Sequence, residues 1–91
     1  MADRFALGVV VSTPGAINAF LQTGEEPLLF VCRHAAGDWG ELDEEDRAEN
    51  ERSVDQGFRI FSAYRLLDAT KIYVITEADR SSTCILLPEE Y

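Results

Sequence analysis

Apolar residues recur along this chain at two different periods. Phe5 to Ser12 is an almost unbroken apolar run around Val9-Val10-Val11, which predicts a buried strand. The period then lengthens. Ala16, Ile17, Phe20 and Leu21 repeat at helical spacing, with Thr13 as N-cap, Pro14 at the first helical position and Gly24 as the stop. A second helix starts at Glu25-Glu26-Pro27. Its expected core face is Leu28, Leu29, Val31, Cys32 and Ala35, and Gly37 is its expected C-cap. A third helix opens at Asp43, with Glu44, Glu45 and Asp46 in its first turn, and stops at Gly57. It is poor in apolar residues. Ala48, Val54 and the stem of Arg47 or Glu51 are its expected inner face.

Beyond Gly57 the pattern turns to strands. Phe58–Leu66, Lys71–Thr76 and Thr83–Leu87 are rich in β-branched and aromatic residues, and short polar connections predict hairpins between them. The order is β-α-α-α-β-β-β. Segregated helices and strands predict an α+β fold, with the helices packed on one face of a mostly antiparallel four-stranded sheet. The position of the first strand in that sheet is left open. The whole of 1–91 reads as one domain.

Charge changes the picture more than composition does. The net charge is −9. Nine acids and two bases between Asp38 and Asp55 place −7 of it in one segment. Direct nucleic-acid binding is disfavoured, because phosphate contacts need clustered Lys and Arg. The segment suits a protein partner with a basic surface. No run of about 18 apolar residues exists to cross a membrane. Met1-Ala2-Asp3-Arg4 does not open a secretory signal. Cys32 and Cys84 sit in apolar runs without metal spacing, which predicts buried reduced thiols in a cytoplasmic protein.

The only histidine and the only tryptophan fall in Arg33-His34-Ala35-Ala36-Gly37-Asp38-Trp39-Gly40. His34 belongs to the last turn of the second helix, where a cation meets the negative end of the dipole, so some charging near neutral pH is expected. Asp38 and Glu41 are close enough in sequence to orient its ring. Those are the ingredients of a general base, and equally of a helix cap. Trp39 reads as a lid over the core or as a partner contact. The carboxylates Asp38, Glu41, Asp43 and Asp46 do not match the calcium-loop spacing, and one histidine without paired cysteines gives no zinc site. No glycine-rich cofactor loop is present. Arg80 sits in the turn Glu77 to Ser82, where pairing with Glu77 or Asp79 would hold it, and an Arg at a hairpin tip can take an anion.

Two long motifs carry a resemblance. His34-x-x-Gly37-Asp38-Trp39-Gly40-x-Leu42-x-x-Glu45-Asp46-x-x-x-Asn50-Glu51 is the first. Ile75-Thr76-Glu77-Ala78-Asp79-Arg80-Ser81, followed by Leu86-Leu87-Pro88-Glu89-Glu90-Tyr91, is the second. Together they resemble a family of small uncharacterised bacterial plasmid-related proteins, some labelled as type I restriction enzyme modification subunits. The resemblance implies a mobile-element setting and supplies no catalytic residues. A methyltransferase needs a cofactor-binding domain larger than this chain.

Two functional expectations follow. The first is a non-enzymatic accessory protein that binds another protein through the acidic helix and the His34–Asp46 loop, with His34, Asp38, Trp39, Glu41, Glu45, Asp46, Asn50 and Arg80 as binding residues. Its sharper form has the acidic helix imitate DNA phosphates. The second is a small enzyme or ligand binder using His34, Asp38, Trp39 and Arg80. The burial of His34 and Trp39 separates the two.

Overall fold

A computed structural model describes residues 3–91. Met1 and Ala2, part of the segment read above for a signal, lie outside the described residues. The elements are β1 (Val9–Ser12), α1 (Pro14–Thr23), α2 (Pro27–Ala35), α3 (Glu44–Gln56), β2 (Ile60–Arg65), β3 (Lys71–Thr76) and β4 (Ser82–Leu86), then a 3₁₀ turn at Pro88–Glu90. The fold is α+β, as the pattern predicts. The sheet runs β1-β4-β3-β2. β2, β3 and β4 form the expected antiparallel meander, and β1 joins the far edge parallel to β4.

The caps explain the helix bounds. The Thr13 side chain accepts the Ala16 N–H, and the Asp43 side chain accepts the Asp46 N–H. Gly24 and Gly57 close α1 and α3 in the left-handed conformation. The first strand is shorter than expected. Gly8, at φ +64°, turns the chain before Val9, so Phe5 leaves the sheet and packs on His34 and Trp39.

The core lies between α1 and α2 and one face of the sheet. Ala16, Phe20, Phe30 and Val31 meet Tyr64, Ile72, Val74 and Ile85 there. The buried stripe of α2 is Phe30, Val31, His34 and Ala35. This corrects the expected face: Leu28 and Leu29 are 65% and 61% exposed. The thiols depart from expectation too, since Cys32 is exposed and Cys84 only half-buried. Their places in α2 and β4 fall outside the packed stripes.

α3 lies along the β2 edge, and its inner face is polar. Asn50 and Ser53 are buried, Val54 is half-buried, and Ala48, Arg47 and Glu51 are exposed. Asn50 donates from Nδ2 to the Phe61 carbonyl at 2.6 Å and accepts the Phe61 N–H at 3.1 Å. Two residues along the same edge, Ala63 donates to the Trp39 carbonyl and accepts from the Glu41 N–H. One side chain and one loop thus close the β2 edge. Gly40 sits at that crossing at φ +74°, and a Cβ there would run into the Ala63 carbonyl.

Candidate functional site

The chemistry collected around His34 and Trp39 points inward. His34 is fully buried. Its Nδ1 lies 2.5 Å from Ser62 Oγ and its Nε2 lies 3.0 Å from Thr76 Oγ1. Thr76 Oγ1 is 2.6 Å from Thr83 Oγ1, and Thr83 donates to the Leu7 carbonyl at 2.8 Å. Donor counting fixes the direction of this chain. A carbonyl only accepts, so the one Thr83 proton goes to Leu7. The Thr76 proton must then go to Thr83, and Thr76 must accept from His34 Nε2–H. Nδ1 is left as the acceptor of the Ser62 hydroxyl. The ring is therefore the neutral Nε2–H tautomer.

Burial holds the His34 pKa down to about 4, well below its ordinary 6.5. This corrects the expectation of charging near neutrality: desolvation outweighs the helix dipole. Asp38 and Glu41 do not orient the ring. Asp38 pairs with Arg33 at 2.7 Å and accepts the Gly40 N–H, and the Arg33 hydrogen bond holds its carboxyl below the usual range. Glu41 pairs with Arg65 at 2.8 Å.

Trp39 is 5% exposed. Its indole stacks on Phe5, meets His34 edge-on and donates Nε1–H to Glu51 at 2.9 Å. Arg4 grips the same carboxylate at two points, 2.7 and 2.9 Å. Those hydrogen bonds, Arg4 first and Trp39 second, pull the Glu51 pKa down to about 2. Arg80 is an internal brace. Its guanidinium donates to the carbonyls of Ser53, Phe58, Glu77 and Ala78, joining the end of α3 to the β3–β4 turn. It takes backbone carbonyls rather than the Glu77 or Asp79 carboxylates. A guanidinium spent this way holds no free fork for an anion.

The eight sequence-predicted site residues therefore divide. His34, Trp39 and Asn50 are buried, and Asp38, Glu41 and Arg80 are committed to contacts within the fold. Glu45 and Asp46 remain on the exposed side of α3, and no ion pair engages them among the described residues. Glu44 and Asp55 are likewise exposed and outside any ion pair.

Asp46 borders a cleft of about 300 Å³ between α3 and the outer face of the sheet. Phe61, Tyr73 and Tyr91 form its apolar side, with Phe61 and Tyr73 rings 4.6 Å apart and Tyr91 edge-on to Tyr73 at 6.1 Å. Asp46 and Glu49 stand on the α3 side, and Glu49 is paired with Arg52. Arg59 lies at the cleft too, bonded to the Tyr91 hydroxyl and 3.4 Å from Glu77. Sequence reading missed this cleft. Its signal is the odd-numbered alternation of Phe61 and Tyr73 on strands whose other face already fills the core. The hydroxyl chain was missed for the converse reason: Ser62, Thr76 and Thr83 stand at core-facing positions of three adjacent strands.

Among the described residues no three metal-ligating side chains converge, and no helix is long and apolar enough to cross a membrane. No protein family, curated protein or solved structure matches the chain.

Proposed function

We propose that this is a non-enzymatic accessory protein that engages a basic segment of another protein through α3 and the cleft beside it. One observation carries the reading: the unpaired carboxylate of Asp46, with Glu49 beside it, stands next to a partly exposed aromatic wall. A lysine or arginine side chain entering there would gain cation–π contact with the rings and charge contact with Asp46 and Glu49. The −7 of the 38–55 segment speeds encounter with such a surface. Acid–base catalysis by His34 finds no support, because its ring is sealed and both nitrogens are engaged. The motif resemblance favours a mobile-element setting, and the reading of Cys32 and Cys84 as free reduced thiols favours a cytoplasmic location. In the sharper form, the α3 carboxylates stand in for DNA phosphates, and duplex DNA would compete for the same partner.

Titration of the labelled protein with tetra-arginine and tetra-lysine peptides tests this by NMR. Shifts should cluster at Phe61, Tyr73, Tyr91 and the first half of α3, and should fade with salt. Asp46→Asn with Glu49→Gln should weaken binding roughly tenfold, about 1.4 kcal/mol. Shifts scattered over all acidic residues, or unchanged in the double variant, would leave α3 a merely solvated face.

A further inference from the structure

The strand at the edge opposite α3 is open and itself carries no charge, and just past its end the Glu90 carboxylate accepts the Thr13 hydroxyl. Residues 5–24 contain no Asp, Glu, Lys or Arg, in a chain of net charge −9. That run forms β1 and α1, and it leaves Val9, Val10 and Val11 exposed at 67%, 41% and 46%, with Ile17 and Leu21 exposed beside them in sequence. The Val9 N–H pairs with the Ser81 carbonyl and the Thr13 N–H with the Ile85 carbonyl. Strand alternation then turns the N–H and C=O of Val10 and Ser12 away from β4. Within the described residues those groups find no partner. The contrast with β2 is informative: that edge is closed by Asn50 and the 39–41 loop, whereas β1 carries no charge, proline or bulge to discourage pairing.

We infer that β1 is a homodimer interface, where a second copy adds its own β1 antiparallel to form one continuous sheet. Charge selects this occupant. A strand without charged side chains offers no ion pair of its own to a basic or acidic partner, and a strand paired antiparallel about a two-fold axis complements itself. Any approach of two copies through the 38–55 segment sets −7 against −7. Pairing through β1 instead puts the two β2 edges seven strand spacings apart, about 33 Å. The screening length at physiological salt is only about 8 Å, so the acidic helices do not oppose this dimer. With Val10 on the two-fold axis, Val9 of each copy faces Val11 of the other on the outer side of the sheet. Apolar β-branched pairs of that kind stabilise antiparallel ladders. The interface is remote from the α3 cleft and does not depend on the reading of that cleft.

Sedimentation equilibrium of the full chain tests the inference directly. The expected mass is twice the 10.2 kDa of one chain. A monomer at about 100 μM would overturn it, since it puts self-association weaker than about −5 kcal/mol. Hydrogen exchange on the wild type needs no variant: the Val10 and Ser12 amides should be protected when concentrated and should exchange freely on dilution. A dimer that leaves both amides unprotected would equally overturn the proposal. Val9→Lys with Val11→Lys, and separately Val9→Glu with Val11→Glu, should each be monomeric. An equimolar mixture of the two should recover the doubled mass, because each lysine then faces a glutamate. Failure of the mixture to pair, with both variants folded by circular dichroism, would exclude the antiparallel register.

Discussion

A single histidine with a sealed ring makes a measurable pH signature. His34 has a pKa of about 4 in the fold against an ordinary 6.5 in the unfolded chain. The unfolded state therefore binds a proton first as pH falls, and stability is lost as pH drops below 6.5. The loss continues until the folded ring is itself protonated near pH 4. The whole window is about 2.5 pKa units, or roughly 3 kcal/mol at 1.36 kcal/mol per unit. Between pH 7 and pH 5 the expected part is about 2 kcal/mol. Carboxylates contribute little there, since their unfolded pKa values lie near 4. For a domain whose total stability is about 5–10 kcal/mol, that is a large fraction. Urea unfolding at pH 7, 6 and 5 measures it, and the His34 ring protons followed by NMR give the folded pKa independently. His34→Gln removes the titration and should flatten the curve over the same window, at a lower stability throughout. A wild-type midpoint that does not move between pH 7 and 5, or a ring that titrates near 6.5, would refute the sealed hydroxyl chain.

Trp39→Ala should cost about 3 kcal/mol in denaturant unfolding, toward the low end for buried aromatics because Arg4 and Phe5 can settle over the gap. Trp39→Phe keeps most of the ring and loses only the Glu51 hydrogen bond, so about 1 kcal/mol is expected; equal losses would deny the packing role. Asn50→Ala strands both polar groups of Phe61 and should cost about 2–3 kcal/mol. Asn50→Asp should be worse at pH 7, since a carboxylate then faces the Phe61 carbonyl, and its gap to wild type should narrow as that acid is protonated; a gap constant with pH would show that Asn50 does not hold the edge.

What was readable in the chain was local chemistry. Thr13-Pro14, Gly24, Asp43 and Gly57 announce helix ends because capping depends on a few neighbouring atoms. Lys71–Thr76 is predicted to the residue, since β-branched and aromatic residues alternate between clear turns. What was not readable depended on partners far away in sequence. The inner face of α3 is Asn50 and Ser53, which no hydrophobicity pattern selects. His34 lies in the buried stripe of α2 only because Ser62 and Thr76 wait opposite it. Leu28 and Leu29 carry the apolar signal and face outward instead. At the candidate site, the sequence located the unusual residues, but not that their hydrogen bonds are satisfied inside the fold. Arg80 is the sharpest case: its nearest acids look like partners, while four carbonyls from three segments take its protons.

The parallel pairing of β1 with β4 has a bearing on how the chain is made. β1 leaves the ribosome first among the strands, and its neighbour leaves last. Until Ser82–Leu86 emerges, Val9-Val10-Val11 has no strand beside it on either side. The β2–β3 hairpin can form early, because its strands are neighbours in sequence, whereas the N-terminal strand must wait for nearly the whole chain. An apolar strand left waiting is the kind of segment that chaperones hold and that aggregates when synthesis stalls. Moving β1 behind β4 by circular permutation would shorten that wait, and should raise the yield of folded protein most where chaperones are scarce.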